Sequence, residues 1–324
     1  MPQRRLLAFY LLTLLGSLLA ALLVVEIVLR NLAFTNGTAF MFGAQQRWYE
    51  RHWTPVNEMQ FRDLPLQGRL ALKQPKVYFL GDSFTAGNGV SFEETYYFLA
   101  AWKTRQDYNP VNLSRPGAST RDELDTLKQF NAATGARAKI VVHQYFPNDI
   151  HDYIAMPQWT APPLLEAAAR HLESAQFLLA HRFAKEWGAQ YADALRAAYT
   201  SPAVLQRHLD DVSALHAEVR RQGGRVVFLV FPSLSPDSGL DESARLIAHL
   251  RRFFTATCRE GDVFVDALYS ARTLPLERRV LSFMDSHPSP ELHTLVASQV
   301  RQGIAQYPSG VGSARPYETC AYLR

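Results

Sequence analysis

Two hydrophobic patterns divide the chain. Leu6 to Val25 (LLAFYLLTLLGSLLAALLVV) runs without a charge and is interrupted only by Thr13, Gly16 and Ser17. As a helix rising about 1.5 Å per residue it covers roughly 30 Å, the thickness of a bilayer's hydrocarbon core. A cleaved signal peptide has a shorter apolar core, about 7–15 residues, followed by small residues at its cleavage site. Val24-Val25-Glu26-Ile27-Val28-Leu29-Arg30 offers no such site, so the segment reads as an uncleaved transmembrane helix. Arg4 and Arg5 before it outweigh Arg30 after it, which orients the N-terminus toward the cytoplasm and the rest of the chain outward.

From residue 76 the pattern changes to short, continuously apolar runs separated by helical periodicity. Lys76–Leu80, Val111–Leu113, Lys139–Tyr145, Arg225–Phe231 and Val263–Val265 read as buried strands. Such strands alternating with helices predict a parallel sheet covered on both faces. Ser201-Pro202 opens a helix with Leu205, Leu209, Val212, Leu215 and Val219 on one face, and Gly223-Gly224 stops it. Glu291 to about Tyr307 reads as the closing helix. The expected organisation is an anchor over 1–36, an irregular lead-in over 37–75, a catalytic domain over 76–310 and a tail over 311–324. Residues 151–200 form a helical insertion, with Leu164–Leu179 as its clearest helix. It is too long for an ordinary connection, and reads either as a lid beside a site or as a separate packing unit.

Composition changes this picture little. The 324 residues are 48% hydrophobic and 20% charged, ordinary globular values that exclude a disordered or collagenous chain. A net charge of +4, with no basic run of five, predicts no nucleic-acid partner. The ten histidines are scattered and neither cysteine has a ligand-spaced neighbour, so neither a metal nor a cofactor is expected. Cys258 and Cys320 are two unrelated thiols if the domain is cytosolic; outside the membrane they can pair.

Candidate chemistry lies at the strand ends, where open α/β sheets place their sites. The first strand stops at Gly81-Asp82-Ser83, which sets a serine at the start of a helix, where backbone N–H groups can hold an oxyanion. Pro116-Gly117-Ala118 follows the second strand, and Phe146-Pro147-Asn148-Asp149 the third. Gly117 offers a closely approaching N–H and Asn148 a side-chain donor. Asp285-Ser286-His287 follows the fifth strand and supplies an imidazole with a carboxylate to orient it. Arg115 and Arg121 flank the Gly117 loop as solvated charges, and His293 reads as a packed or surface residue of the closing helix.

Together Ser83 in GDSFTAG, Gly117 in NLSRPGAST, Asn148 in FPNDI and His287 in DSHPSPELH resemble the four ordered blocks of the SGNH (GDSL-type) hydrolase superfamily. Asn57 to Asp63 (NEMQFRD) is similar to a segment of its membrane-tethered bacterial members. The resemblance spans about residues 55–305. It implies a flavodoxin-like three-layer α/β/α fold with about five parallel strands, and acyl chemistry through a serine-bound intermediate. Ser83 is then the nucleophile, His287 the base and Asp285 its orienter. The oxyanion hole comprises the N–H groups of Ser83 and Gly117 and the side chain of Asn148. Two features depart from the family pattern. Phe146 replaces the usual glycine of the third block and narrows the acyl pocket, and one residue instead of two separates Asp285 from His287.

The expected protein is a serine esterase of the bacterial inner membrane with its catalytic domain in the periplasm. It removes an acyl group, acetyl being the expectation, from an envelope carbohydrate or lipid. The same triad would serve an O-acyltransferase acting on a glycan, and a catalytically silent tethered binding module is the reading from a different class.

Overall fold

Five of the apolar runs become strands of one parallel sheet: β1 (Lys76–Leu80), β2 (Asn109–Asn112), β3 (Ile140–Tyr145), β4 (Arg225–Val230) and β5 (Val263–Asp266). The computed structural model describes residues 2–31, 42–102, 105–234, 240–282, 285–306 and 320–323. The link at 32–41 and the tail at 307–319 therefore lie outside the described residues. A short antiparallel hairpin, β6 (Val280–Ser282) with β7 (Asp285–Pro288), follows β5. A sixth strand of the main sheet, β8 (Ala321–Leu323), pairs in parallel with β5. The order is β2-β1-β3-β4-β5-β8, so the expectation of about five strands becomes six. The added strand is a three-residue piece of the presumed tail, too short to carry a sequence signal of its own.

The helices in chain order are α1 (Pro2–Asn31), α2 (Phe42–His52), α3 (Ser83–Ala86), α4 (Tyr96–Ala101), α5 (Thr120–Thr134) and α6 (Pro163–Ala169). They continue with α7 (Glu173–Thr200), α8 (Pro202–Arg221), α9 (Leu240–Thr257), α10 (Ala267–Arg272), α11 (Leu276–Arg279) and α12 (Pro290–Ala305). The lead-in expected to be irregular thus contains a helix, α2. The helical pattern expected over Leu164–Leu179 is broken at Arg170–Leu172 between α6 and α7.

Strand alternation builds the three layers. Val77, Phe79, Val142, Val227 and Val265 face one way, toward Tyr96 and Tyr97 of α4 and Leu292, Val296 and Val300 of α12. Tyr78, Leu80, Val141, Phe228 and Phe264 face the other way, toward α5, α8 and α9 through Phe130, Leu215 and Phe254. Side chains of successive strand residues must point to opposite faces, and both faces here are buried, so the runs read as continuously apolar.

The chain divides into two compact units. One comprises Met1–Glu50 and Pro157–Gln190; the other, Arg51–Met156 and Tyr191–Arg324, holds the sheet. The end of the expected insertion belongs to the sheet unit: the Tyr199 hydroxyl donates to the Pro147 carbonyl (2.8 Å) and lies 2.6 Å from that of Tyr145. In α1, Arg5–Asn31 is long and apolar enough to cross a membrane, and its leucines are exposed. A signal sequence near the N-terminus passes the same test of length and composition.

Cys258, just after α9, is bonded to Cys320, just before β8, across 62 residues. The bond fastens β8 to the rest of the sheet unit. Closing a loop of that length restricts the unfolded chain by an amount worth about 4 kcal/mol. Cys320→Ser should therefore lower the unfolding free energy by about 4 kcal/mol, read as a fall in the urea midpoint; an unmoved midpoint would show that the bond adds nothing.

Candidate active site

The site is assembled where β1 ends. Gly81 passes so close to β3 that an added Cβ would lie 2.4 Å from Gln144 Oε1 and 2.2 Å from Thr85 Oγ1, so no larger residue fits. Asp82, fully buried, caps the four-residue helix α3 by accepting the N–H of Phe84 at 2.9 Å. Its own N–H donates to Gln144 Oε1 (3.2 Å), which also accepts the Thr85 hydroxyl (2.8 Å). The cap turns the chain so that Ser83, the first residue of α3, stays partly exposed between buried neighbours.

His287 reaches Ser83 from β7. Its Nε2 is 2.8 Å from Ser83 Oγ, and its Nδ1 is 2.5 Å from Asp285 Oδ1. The same carboxylate oxygen accepts the backbone N–H of His287 at 3.0 Å. With the Nδ1 proton donated to Asp285, Nε2 is left to accept the serine proton. The short Asp-x-His spacing has a geometric reason here. Residues i and i+2 of a strand point to one face, and Asp285 and His287 are both in β7. The hairpin is fixed beyond the site by Ser289, whose N–H donates to the Arg279 carbonyl and whose hydroxyl caps α12 at Leu292.

The expected oxyanion donors stand on neighbouring loops. Asn148, in the 3-10 turn Pro147–Tyr153 after β3, donates its side-chain N–H to Asp82 Oδ2 (3.2 Å). Gly117, at φ 77°, lies in the exposed turn after β2, a backbone geometry that favours glycine. That turn is stitched to the end of β1 by Arg115 N–H donating to the Gly81 carbonyl (3.1 Å). Phe146 packs against Phe84 with ring centroids 4.3 Å apart, and Phe84 is 5.5 Å from the His287 ring. The imidazole therefore has an aromatic wall beside it.

Arg115 and Arg121 take other partners: Arg115 lies over the Phe61 ring, and Arg121 bonds Asp211 at 2.9 Å. His293 is fully buried and accepts the Tyr96 N–H on Nδ1 (3.1 Å). Burial, then the charges of Arg62 and His287, push its imidazole down to about 3 and keep it a neutral acceptor.

Several supporting residues were not singled out from the sequence. Arg62, the largest fully buried side chain, donates to the carbonyls of Ala86 (2.9 Å), Gly87 (2.5 Å) and Val90 (2.8 Å), all on or just past α3. It holds the helix of Ser83 from behind. Gln144 is a lone amide inside an apolar strand, a polar interruption that is itself the available signal. Behind Asp82 lie Glu123, His143 and Asp149, with ligand-type atoms within 4.8 Å of one another. Burial, then neighbouring acids, pushes the Glu123 and Asp149 carboxyls well up, while burial and His208 push His143 down to about 3. Each shift favours the uncharged form of its group. The trio is the group of described residues whose donor types suit a cation.

The geometry matches one class of protein: an open parallel sheet with a serine, an imidazole and a carboxylate in hydrogen-bonded sequence at its strand ends. A family model, the GDSL-like lipase/acylhydrolase family, matches residues 79–295, and the chain belongs to that family. Its members are acylhydrolases, and this protein is an ester hydrolase. No curated protein matches it. Among solved structures, TesA superposes with a TM-score of 0.46 at 13% identity, covering 71% of this chain and 97% of that one. The esterase EstA from Pseudoalteromonas sp. gives 0.42 at 13% identity, with coverages of 72% and 98%. A carbohydrate acetylesterase family member from Sinorhizobium meliloti gives 0.43 at 16% identity, with coverages of 71% and 97%.

The electrostatics set the expected pH dependence. Burial lowers the proton affinity of His287, but the charge and hydrogen bond of Asp285, with Asp82 behind, outweigh it and hold the imidazole above its usual value of 6.5. A base must be deprotonated to act, so kcat/KM should rise with pH through a midpoint above 6.5. Asp285→Asn should move that midpoint down and cut kcat by about 10³–10⁴-fold. A variant with unchanged midpoint and rate would remove Asp285 from the relay.

Proposed function

We propose that the protein is a membrane-anchored extracytoplasmic serine esterase. Its substrate is a short acyl ester, acetyl in particular, on a carbohydrate or lipid of the cell envelope. The observation that carries this reading is the unbroken hydrogen-bond relay from Ser83 through His287 to Asp285.

In this reading Ser83 Oγ attacks the ester carbonyl as Nε2 of His287 takes its proton. The carbonyl oxygen becomes an oxyanion, held by the backbone N–H groups of Ser83 and Gly117 and by the Asn148 amide. Collapse of the tetrahedral intermediate breaks the bond to the alcohol, which leaves with the proton from His287. Water, activated by the same imidazole, then attacks the acyl-serine and releases the carboxylic acid. Asp285 holds the Nδ1 proton and stabilises the imidazolium in both halves. The preference for a short acyl group rests on the packing of Phe146 on Phe84, which fills space beside His287. The envelope location rests on the apolar α1 and the excess of Arg4 and Arg5 over Arg30 around it.

Ser83→Ala, purified and folded, should hydrolyse p-nitrophenyl acetate about 10⁶-fold more slowly than the parent. Turnover within tenfold of the parent would eliminate Ser83 as the nucleophile.

A further inference from the structure

The compact unit of Met1–Glu50 and Pro157–Gln190 contains an acid in an unusual place. Glu26 stands immediately after the apolar run Leu6–Val25 of α1. Its carboxylate accepts the backbone N–H groups of Glu173 (2.8 Å) and Ser174 (3.1 Å) and the Ser174 hydroxyl (3.1 Å). A side chain of one helix thus caps the N-terminus of another, α7, where unsatisfied N–H groups and the helix dipole both favour an anion. Arg30, one turn further, donates to Glu26 (3.1 Å) and to the His171 carbonyl (3.2 Å). Arg47 pairs with Glu173 at 2.6 Å.

These contacts set a depth. If α1 spans the bilayer, Leu6–Val25 fills about 30 Å of hydrocarbon and Glu26 stands at its boundary with the headgroups. The start of α7, bonded to Glu26, stands at the same boundary. Three large leucines of α6, the turn after it and α7 are exposed: Leu164 is 88% exposed, Leu172 45% and Leu178 55%. Leu172 directly precedes Glu173, and Leu178 lies about 7.5 Å beyond it along the α7 axis. The small core of the unit is already closed by Ala169, Ala175 and Leu179, so the three leucines are not needed to fill it. The side chains of Arg30 in α1, Arg170 just past α6 and Arg182 in α7 are half or more exposed, each paired with a glutamate one turn away, and long side chains of this kind reach into a headgroup layer.

We infer that α6 and the first turns of α7 rest on the bilayer, with Leu164, Leu172 and Leu178 inserted at the acyl–headgroup boundary and Glu26 locking the pair to α1. The occupant of this face is the lipid surface itself. The inference rests on the reading of α1 as an uncleaved span, and it gives the residue 157–190 part of the insertion a role in membrane seating.

The test uses the full chain in vesicles of phosphatidylcholine and phosphatidylglycerol. A single environment-sensitive fluorophore is placed through Leu164→Cys, Leu172→Cys or Leu178→Cys, and through Leu15→Cys as a reporter of the span. The native cysteines are bonded to each other and do not compete for label. Lipids brominated in the upper acyl chain should quench the three surface labels about twofold or more, and aqueous iodide should quench them little, as for interfacial side chains. Bromolipid quenching at Leu15 with iodide quenching at all three leucines would overturn the seating and leave the anchor intact. Absence of quenching at Leu15 by lipids brominated near the end of the acyl chain would remove the span, and the seating with it.

Discussion

One buried carboxylate organises the strand-end cluster around Ser83. Asp82 caps the helix that begins with Ser83, takes the Asn148 amide on its other oxygen, and contributes to the field that raises the proton affinity of His287. Its burial pushes its own carboxyl up, while the Phe84 N–H, the charge of His287 and the Asn148 amide pull the other way. An acid placed so deep is costly unless every lone pair is met, and here its partners are the elements that must be aligned. The helix of Ser83 and the loop of Asn148 are therefore positioned by a single group. Gly81 leaves the space taken by the Gln144 and Thr85 side chains, and Gln144 Oε1 accepts the Asp82 N–H there.

Support comes from two directions. Arg62 binds the carbonyls at and beyond the end of α3 that the short helix cannot satisfy itself, so the serine is fixed by a cap in front and a guanidinium behind. Ser289 and α12 do the same for His287 by anchoring the hairpin. Preorganisation of this kind lets a hydrogen-bonded relay form without reorganising at the moment of reaction.

The strongly apolar strands were legible because burial on both faces leaves an uninterrupted run, and the helix over Pro202–Arg221 was legible because its proline and glycines bracket one apolar face. Ser83, Gly117 and Asn148 stood out because each follows a strand of the sheet, and His287 because a carboxylate two residues earlier can orient it. Other features depend on contacts distant in sequence. β8 is three residues whose strand character comes from pairing with β5 and from the Cys258–Cys320 bond. Gln144 and Arg62 each look ordinary alone, and their roles arise from backbone groups up to 62 residues away. The irregular reading of residues 37–75 missed α2 because its face is mostly polar and gives little periodic signal. The division at Gln190, inside the continuous helix α7, has no compositional mark.

The central claim is that Ser83 is a nucleophile activated by His287. Its most direct measurement is covalent labelling of the folded full-length protein by a fluorophosphonate, followed by peptide mass mapping at several pH values. One phosphonylated residue is expected, Ser83, labelled faster as pH rises through the imidazole titration and scarcely at all in His287→Ala. Labelling at another serine, or equal labelling of Ser83 without the imidazole, would contradict it.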